Sequence, residues 1–267
     1  MKTTFTRRMT HRVAAGGAVI GLVMAIPATA FAAPSTTTSG PTTSTTAAGP
    51  GATAGTAQPS DPRCTPSAFT QAQQQVEAAL SSRVTQLNSL LSAVNSTTNH
   101  LTSGDQQTLQ NDISSVELPG IEGLQSHVQQ DTTCVELRSD AHSMVYTYRV
   151  YVVMTPQTHL SIVADNETYI EGMLVNLEPT LEAAIQNAKA HGKDVTAAQA
   201  AFNDLQGQVT SAQGATDGLS AQVLAQTPQG YPGNWQVFMA AHTGEANAHT
   251  DLHAAYLDAQ QIRNALK

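Results

Sequence analysis

The chain has 267 residues and a formal charge of −8 from twelve basic and twenty acidic side chains, with charged residues making up only 12% of it. Four of the cations, Lys2, Arg7, Arg8 and Arg12, fall in the first dozen residues, so everything after them carries eight basic against twenty acidic residues, a net −12. That balance excludes nucleic acid and anionic lipid surfaces as natural partners, since both require clustered cations. The polar surface has to be made mainly from Gln, Thr, Ser and Asn.

The cationic start is followed by an apolar run, Val13 to Ile26, that closes in the small residues Ala28, Ala30 and Ala32. This order predicts a secretory signal peptide over 1–32, cut after Ala32. The run is short for a membrane span, and no later stretch approaches the roughly 20 apolar residues a span needs. Thr10 stands where a twin-arginine signal has a bulky apolar residue, which points to the general secretory route and to a bacterial protein of the envelope or extracellular space. Residues 33–62 contain no bulky apolar side chain and read as a disordered Thr/Ser/Pro/Gly/Ala linker, of a composition that suits O-glycosylation.

Beyond the linker the periodicity is helical throughout. Thr65 and Pro66 open a first helix with apolar residues at Leu80, Val84, Leu87, Leu91, Val94 and Leu101, a four–three seam over about 35 residues. Ser103 with Gln106 reads as a capping box opening a second helix on Leu109, Ile113 and Val116, interrupted by Pro119-Gly120 and resumed through Ile121, Leu124 and Val128. Thr133 with Glu136 is another capping box. The run SMVYTYRVYVV after it is rich in β-branched and aromatic residues, yet Leu137, Ala141, Val145, Tyr148, Val152, Ile162, Ile170, Leu174, Leu177 and Leu181 hold a helical stripe across it, whereas a lone strand would have no partner. Pro156 is expected to kink or break this helix, with Pro179 a second irregularity. Further seams run from Val195 to Val223 in a helix over 194–226, and from Phe238 to Leu266 in a last helix that carries Glu245 on its seam.

Short connections make such helices antiparallel neighbours. The expected fold is all-α: two three-helix bundles, residues 63–158 and 159–267, sharing a long central helix kinked at Pro156, in the manner of spectrin repeats. They lie end to end if that helix continues through Pro156 and side by side if it turns back. Cys64 before the first helix and Cys134 in the first turn of the third are brought to one end of the hairpin between them, so a Cys64–Cys134 disulfide is expected, as suits an exported chain.

The run TYRVYVVMTPQTHLSIVAD and the ending AHTDLHAAYLDAQQIRNAL, with its D-A-x-x-I-R pattern, resemble a group of uncharacterised secreted helical proteins of actinobacteria. The resemblance implies an exported helical protein and transfers no site.

Chemistry is sparse. HExxH, GxSxG and phosphate-binding Gly-rich motifs are absent from the sequence, so no catalytic residue and no cofactor is assigned. His249 and His253 are one turn apart on the last helix, with His242 and Glu245 one or two turns earlier, and this set is the candidate for a metal site if a further ligand comes from a neighbouring helix. Arg149 stands among Tyr146, Tyr148 and Tyr151, either offering a cationic and aromatic surface or lying along the core edge. The expected function is a non-enzymatic helical structural or interaction protein presenting faces to another envelope protein or to wall polymer; the alternative is a metal-binding or metal-sequestering protein using the histidines of the last helix.

Overall fold

In a computed structural model the described residues are 64–267, so the predicted signal peptide and linker lie outside them. Every regular element among these residues is helical, and no strand forms. Thr65 caps α1 (Pro66–Val94), its hydroxyl accepting from the Ala68 N–H, and Pro66 occupies the first turn, where its missing donor is harmless. α1 stops earlier than its seam suggests. Asn95-Ser96-Thr97-Thr98-Asn99 comes next, and these side chains compete for the backbone: Asn99 Nδ2 donates to the Ala93 carbonyl at 2.7 Å.

The cap of α2 (Ser103–Asn111) is Thr102 rather than Ser103, because the Thr102 hydroxyl accepts from the Asp105 N–H at 3.1 Å. Pro119-Gly120 does not interrupt the helical path. A π-helical segment, Asp112–Glu117, runs directly into α3 (Leu118–Gln130), with Pro119 in its first turn. The same pairing recurs later, where the π segment Val150–Met154 leads into α5 (Thr155–Ala190) with Pro156 in its first turn. Widening the helix just before a proline moves the preceding carbonyls from under the ring, so the chain keeps its direction at both sites. The first widening also changes which residue faces inward: Val116 is 58% exposed, while Glu117 is buried.

The break expected at Pro156 falls instead between α4 (Cys134–Tyr146) and the second π segment, where Arg149 adopts a left-handed conformation with φ 48°. The preceding Tyr148 packs its ring so close to α3 that a Cβ on Gly120 would stand 2.2 Å from Tyr148 Cε1, which is why this position has no side chain. α4 itself opens on the predicted capping box, with Thr133 and Glu136 each bonding the other's backbone N–H. The predicted helix over 194–226 divides into α6 (Thr196–Thr216) and α7 (Leu219–Leu224) at Gly218, φ 64°, without losing its seam. After a short 3₁₀ turn comes α8 (Trp235–Ala265), and α5 passes through Pro179 unbroken.

Two sets of helices pack pairwise, α1 with α3 and α4, and α5 with α6 and α8, and α5 also touches α1. Leu80, Leu87, Leu90, Leu109, Ile113, Ile121 and Val128 centre the first core; Ala198, Phe202, Leu205, Val209, Ala248, Leu252 and Ile262 centre the second. A third group, with Val153, Leu160, Val223 and Phe238, lies around the start of α5. There the buried Gln157 places its Nε2 within hydrogen-bond distance of the Leu224 and Gln226 carbonyls at 3.0 and 2.9 Å, satisfying the orphan acceptors at the end of α7. Cys64 and Cys134 stand at disulfide distance, Cα to Cα 6.2 Å, at the end of the α1–α3 hairpin where the chain returns.

Candidate functional site

α8 carries His242, Glu245, His249 and His253 along one edge of its buried seam, and the helix divides them. Glu245 follows Ala241 and precedes Ala248 on the seam and is only 6% exposed, whereas His242 and His253 are exposed and His249 is half-buried. Among the described residues no group of three or more His, Cys, Asp or Glu is placed to hold a metal ion.

Glu245 meets a further acid, Glu167, which has Glu171 beside it. Glu167 and Glu171, one turn apart on α5, lie on the stripe Leu160–Ala164–Glu167–Glu171–Leu174, and are 1% and 4% exposed. Glu171 Oε1 accepts a hydrogen bond from the Thr216 hydroxyl of α6 at 2.8 Å. Oε2 of Glu167 and Oε1 of Glu245 have no hydrogen-bond partner. Burial pushes Glu245 up to about 9, assisted by Glu167, and pushes Glu167 up to about 8, assisted by Glu171, which is itself raised by burial. At neutral pH Glu245 and Glu167 therefore hold protons. Glu117 repeats the arrangement in the first core: burial and neighbouring Asp112 raise it to about 8, and its Oε2 is unpaired. Such acids store protons and couple folding to pH. The surface depressions lined by His127, Asp131 and Asp140 and by Ser89, Asn95 and Thr97 include none of them.

The opposite side of α5 is a second feature, built by the helical repeat. Asp165 and Asn166 are covered by the segment joining α1 to α2: the Thr102 N–H donates to Asp165 Oδ2 and the His100 N–H to Asn166 Oδ1, both at 2.7 Å. One turn on, the His100 ring stacks on Tyr169, centroids 3.5 Å apart and planes within 8°. Past that point the cover ends. Tyr169, Met173 and Leu177, spaced by four, are 45%, 39% and 37% exposed, so a face of α5 that is covered at its start continues beyond Tyr169 as a partly exposed apolar stripe.

No protein-family model, no curated protein and no solved structure matches this chain. The residues themselves have to carry the functional reading.

Arg149 is half-buried just after the end of α4. Its guanidinium lies 4.6 Å from the centre of the Tyr231 ring and 5.4 Å from that of Tyr146, and its Nε donates to the Tyr146 carbonyl at 3.1 Å. These contacts hold its left-handed backbone in place and tie the end of α4 to the turn before α8. Tyr148 and Tyr151 are drawn elsewhere, Tyr148 onto Gly120 and Tyr151 under Arg83 at 5.0 Å. The acids Glu167 and Glu171 and the uncovered stripe are not singled out by the sequence reading, although Leu160, Ala164, Glu167, Glu171 and Leu174 do keep a four–three–four–three spacing.

Proposed function

We propose that this is an exported, non-enzymatic interaction protein of the bacterial envelope or extracellular space, which docks another protein on the uncovered face of α5. The observation that carries the reading is the stripe Tyr169–Met173–Leu177. Three large side chains one turn apart form the row that an amphipathic helix of a partner reads, whereas a polar wall polymer would leave them in water. The sequence supports export through the signal-like 1–32 segment and the likeness to secreted helical proteins. The Cys64–Cys134 pair is compatible with an oxidising compartment, and no described helix is long and apolar enough to cross a membrane.

The test uses the mature protein with Tyr169→Ser, Met173→Ser and Leu177→Ser combined. All three are exposed, so the helical circular dichroism spectrum should not change. Retention on envelope fractions of the producing cells should fall at least about tenfold, the loss expected when about 1.4 kcal/mol or more of apolar burial is removed. Retention equal to that of the unsubstituted protein would refute docking through this face.

A further inference from the structure

Among the described residues Arg149 is the one non-glycine residue with a left-handed backbone, φ 48°. A side chain there crowds its own backbone, and glycine or asparagine is the usual occupant of such a position. Here an arginine accepts the strain, and it is held from three directions. Its guanidinium carbon lies 4.6 Å from the centre of the Tyr231 ring and 5.4 Å from that of Tyr146, and its Nε donates to the Tyr146 carbonyl at 3.1 Å. Tyr146 in turn carries the His142 ring stacked on it, centroids 4.3 Å apart. The clamp thus draws on the end of α4, the bend after it and the turn before α8.

The two terminal nitrogens take no part in it. Among the described residues no acid pairs with this guanidinium, and its one hydrogen bond leaves from Nε. Neither Nη is among the atoms sealed in the interior without a partner, so that edge meets solvent. After residue 12 the chain has eight cations for twenty acids, and yet this cation stays without a counter-charge. Packing alone does not explain the choice, because a neutral side chain could fill the space between the rings without drawing a cation half out of water. A guanidinium held flat with its Nη edge open is the fork that grips an oxyanion through two parallel N–H bonds. Its rotamer freedom, normally lost on binding, is already gone.

We infer that Arg149, clamped by Tyr146 and Tyr231, is a binding site for one carboxylate of an acidic peptide segment, supplied by an Asp or Glu side chain or by a chain terminus. Charge selects the carboxylate. One guanidinium neutralises it fully, whereas a phosphate dianion would add a further negative charge to a chain whose residues after the first dozen already sum to −12. The rings select a peptide over a sugar. A sugar stacks on an open aromatic face, and the Tyr146 ring is already engaged by His142 and Arg149. Val145 and Tyr146, 43% and 53% exposed, leave apolar surface beside the fork for the residues flanking the acid. The site uses no residue of the α5 stripe and does not depend on what that row docks.

An NMR titration of the full mature protein tests this at about pH 7 and constant ionic strength, read at the Arg149 and Val150 backbone amides and the Tyr231 ring protons. The peptide acetyl-Ala-Asp-Ala-amide should shift these signals saturably, with half-saturation at roughly 10 mM or below, the strength of a doubly bonded charged contact. Acetyl-Ala-Asn-Ala-amide, the same size without the charge, should bind at least about tenfold more weakly. Arg149→Lys keeps the charge and loses the fork, so the Asp peptide should weaken at least about fivefold; Arg149→Gln should abolish its binding. Circular dichroism checks that each variant is folded, and the lysine variant decides if the glutamine one is not. Four results would overturn the site: no saturable shift up to about 100 mM Asp peptide, equal binding of the Asn peptide, undiminished binding in Arg149→Lys, or glucuronate or inorganic phosphate bound as tightly as the Asp peptide.

Discussion

Thermal unfolding of the mature protein should occur at its highest temperature near pH 4.5 and at steadily lower temperatures toward pH 9. Glu117, Glu167 and Glu245 are raised to about 8, 8 and 9, each chiefly by burial. An acid whose folded value lies above its unfolded one binds more protons when folded. Its stability is therefore fully present below about 4.5 and is lost as pH rises through the folded value. After allowance for relaxation around the ionised groups, the combined loss is on the order of 5 kcal/mol, about 10 to 20 °C for a chain of this size. Calorimetry across this range reads it directly. Glu245→Gln is the sharper probe, because the amide keeps the size of the neutral acid but cannot ionise. The variant should unfold about 4 to 8 °C higher than the natural protein at pH 8 and nearly the same at pH 4.5. A stability curve that rises between these limits would mean that the three acids are not buried as described.

The second large effect is expected on reduction. Cys64 and Cys134 close a loop of 70 residues, which contains all of α1 to α3. Restricting the unfolded chain to that loop stabilises the fold by about 4 kcal/mol, a large share of the roughly 5 to 15 kcal/mol that holds a domain together. Reduction, or Cys134→Ser, should lower the melting temperature by about 8 to 16 °C. Hydrogen exchange should show the loss first in α1, α3 and α4 and less in α6 and α8, which lie outside the loop. Unchanged melting under reducing conditions would show that the pair contributes nothing to the fold.

Much of the helix plan is legible because seam residues repeat every three or four positions. In α6, α7 and α8, every predicted seam position from Ala198 to Val223 and from Phe238 to Ile262 is buried or partly buried. Periodicity misleads where a polar residue occupies the core. In α5 the inward stripe passes through Glu167 and Glu171, which apolar periodicity skips; of the predicted row, Leu174 is buried and Ile170 and Leu181 pack on the core, while Leu177 is a surface residue. Val145 is misassigned for a related reason, Met144 being the buried neighbour. The π segments are also invisible, since a proline inside a helical pattern reads as a break unless the widening before it is known. Ser103 has the capping-box spacing, yet Thr102 takes the cap of α2, and with it Asp105 gains its first-turn position. Of the candidate sites, the seam position of Glu245 is readable from sequence as an oddity; that its neighbour is another acid, Glu167, depends on the register of α5 against α8, which no local pattern encodes.

One side of α5 buries Glu167 and Glu171, and the other, past the segment that joins α1 to α2, runs on as a partly exposed apolar row. The most direct test of the docking role is oxidative footprinting of Met173 and Tyr169, comparing the purified protein with the protein retained on the envelope at the same pH. Docking on α5 predicts fast modification of both residues in the purified form and at least about threefold slower modification in the retained form, with Met239 on α8, equally exposed at 39%, unchanged as the internal standard. Equal rates at Met173 and Tyr169 in the two forms would contradict it.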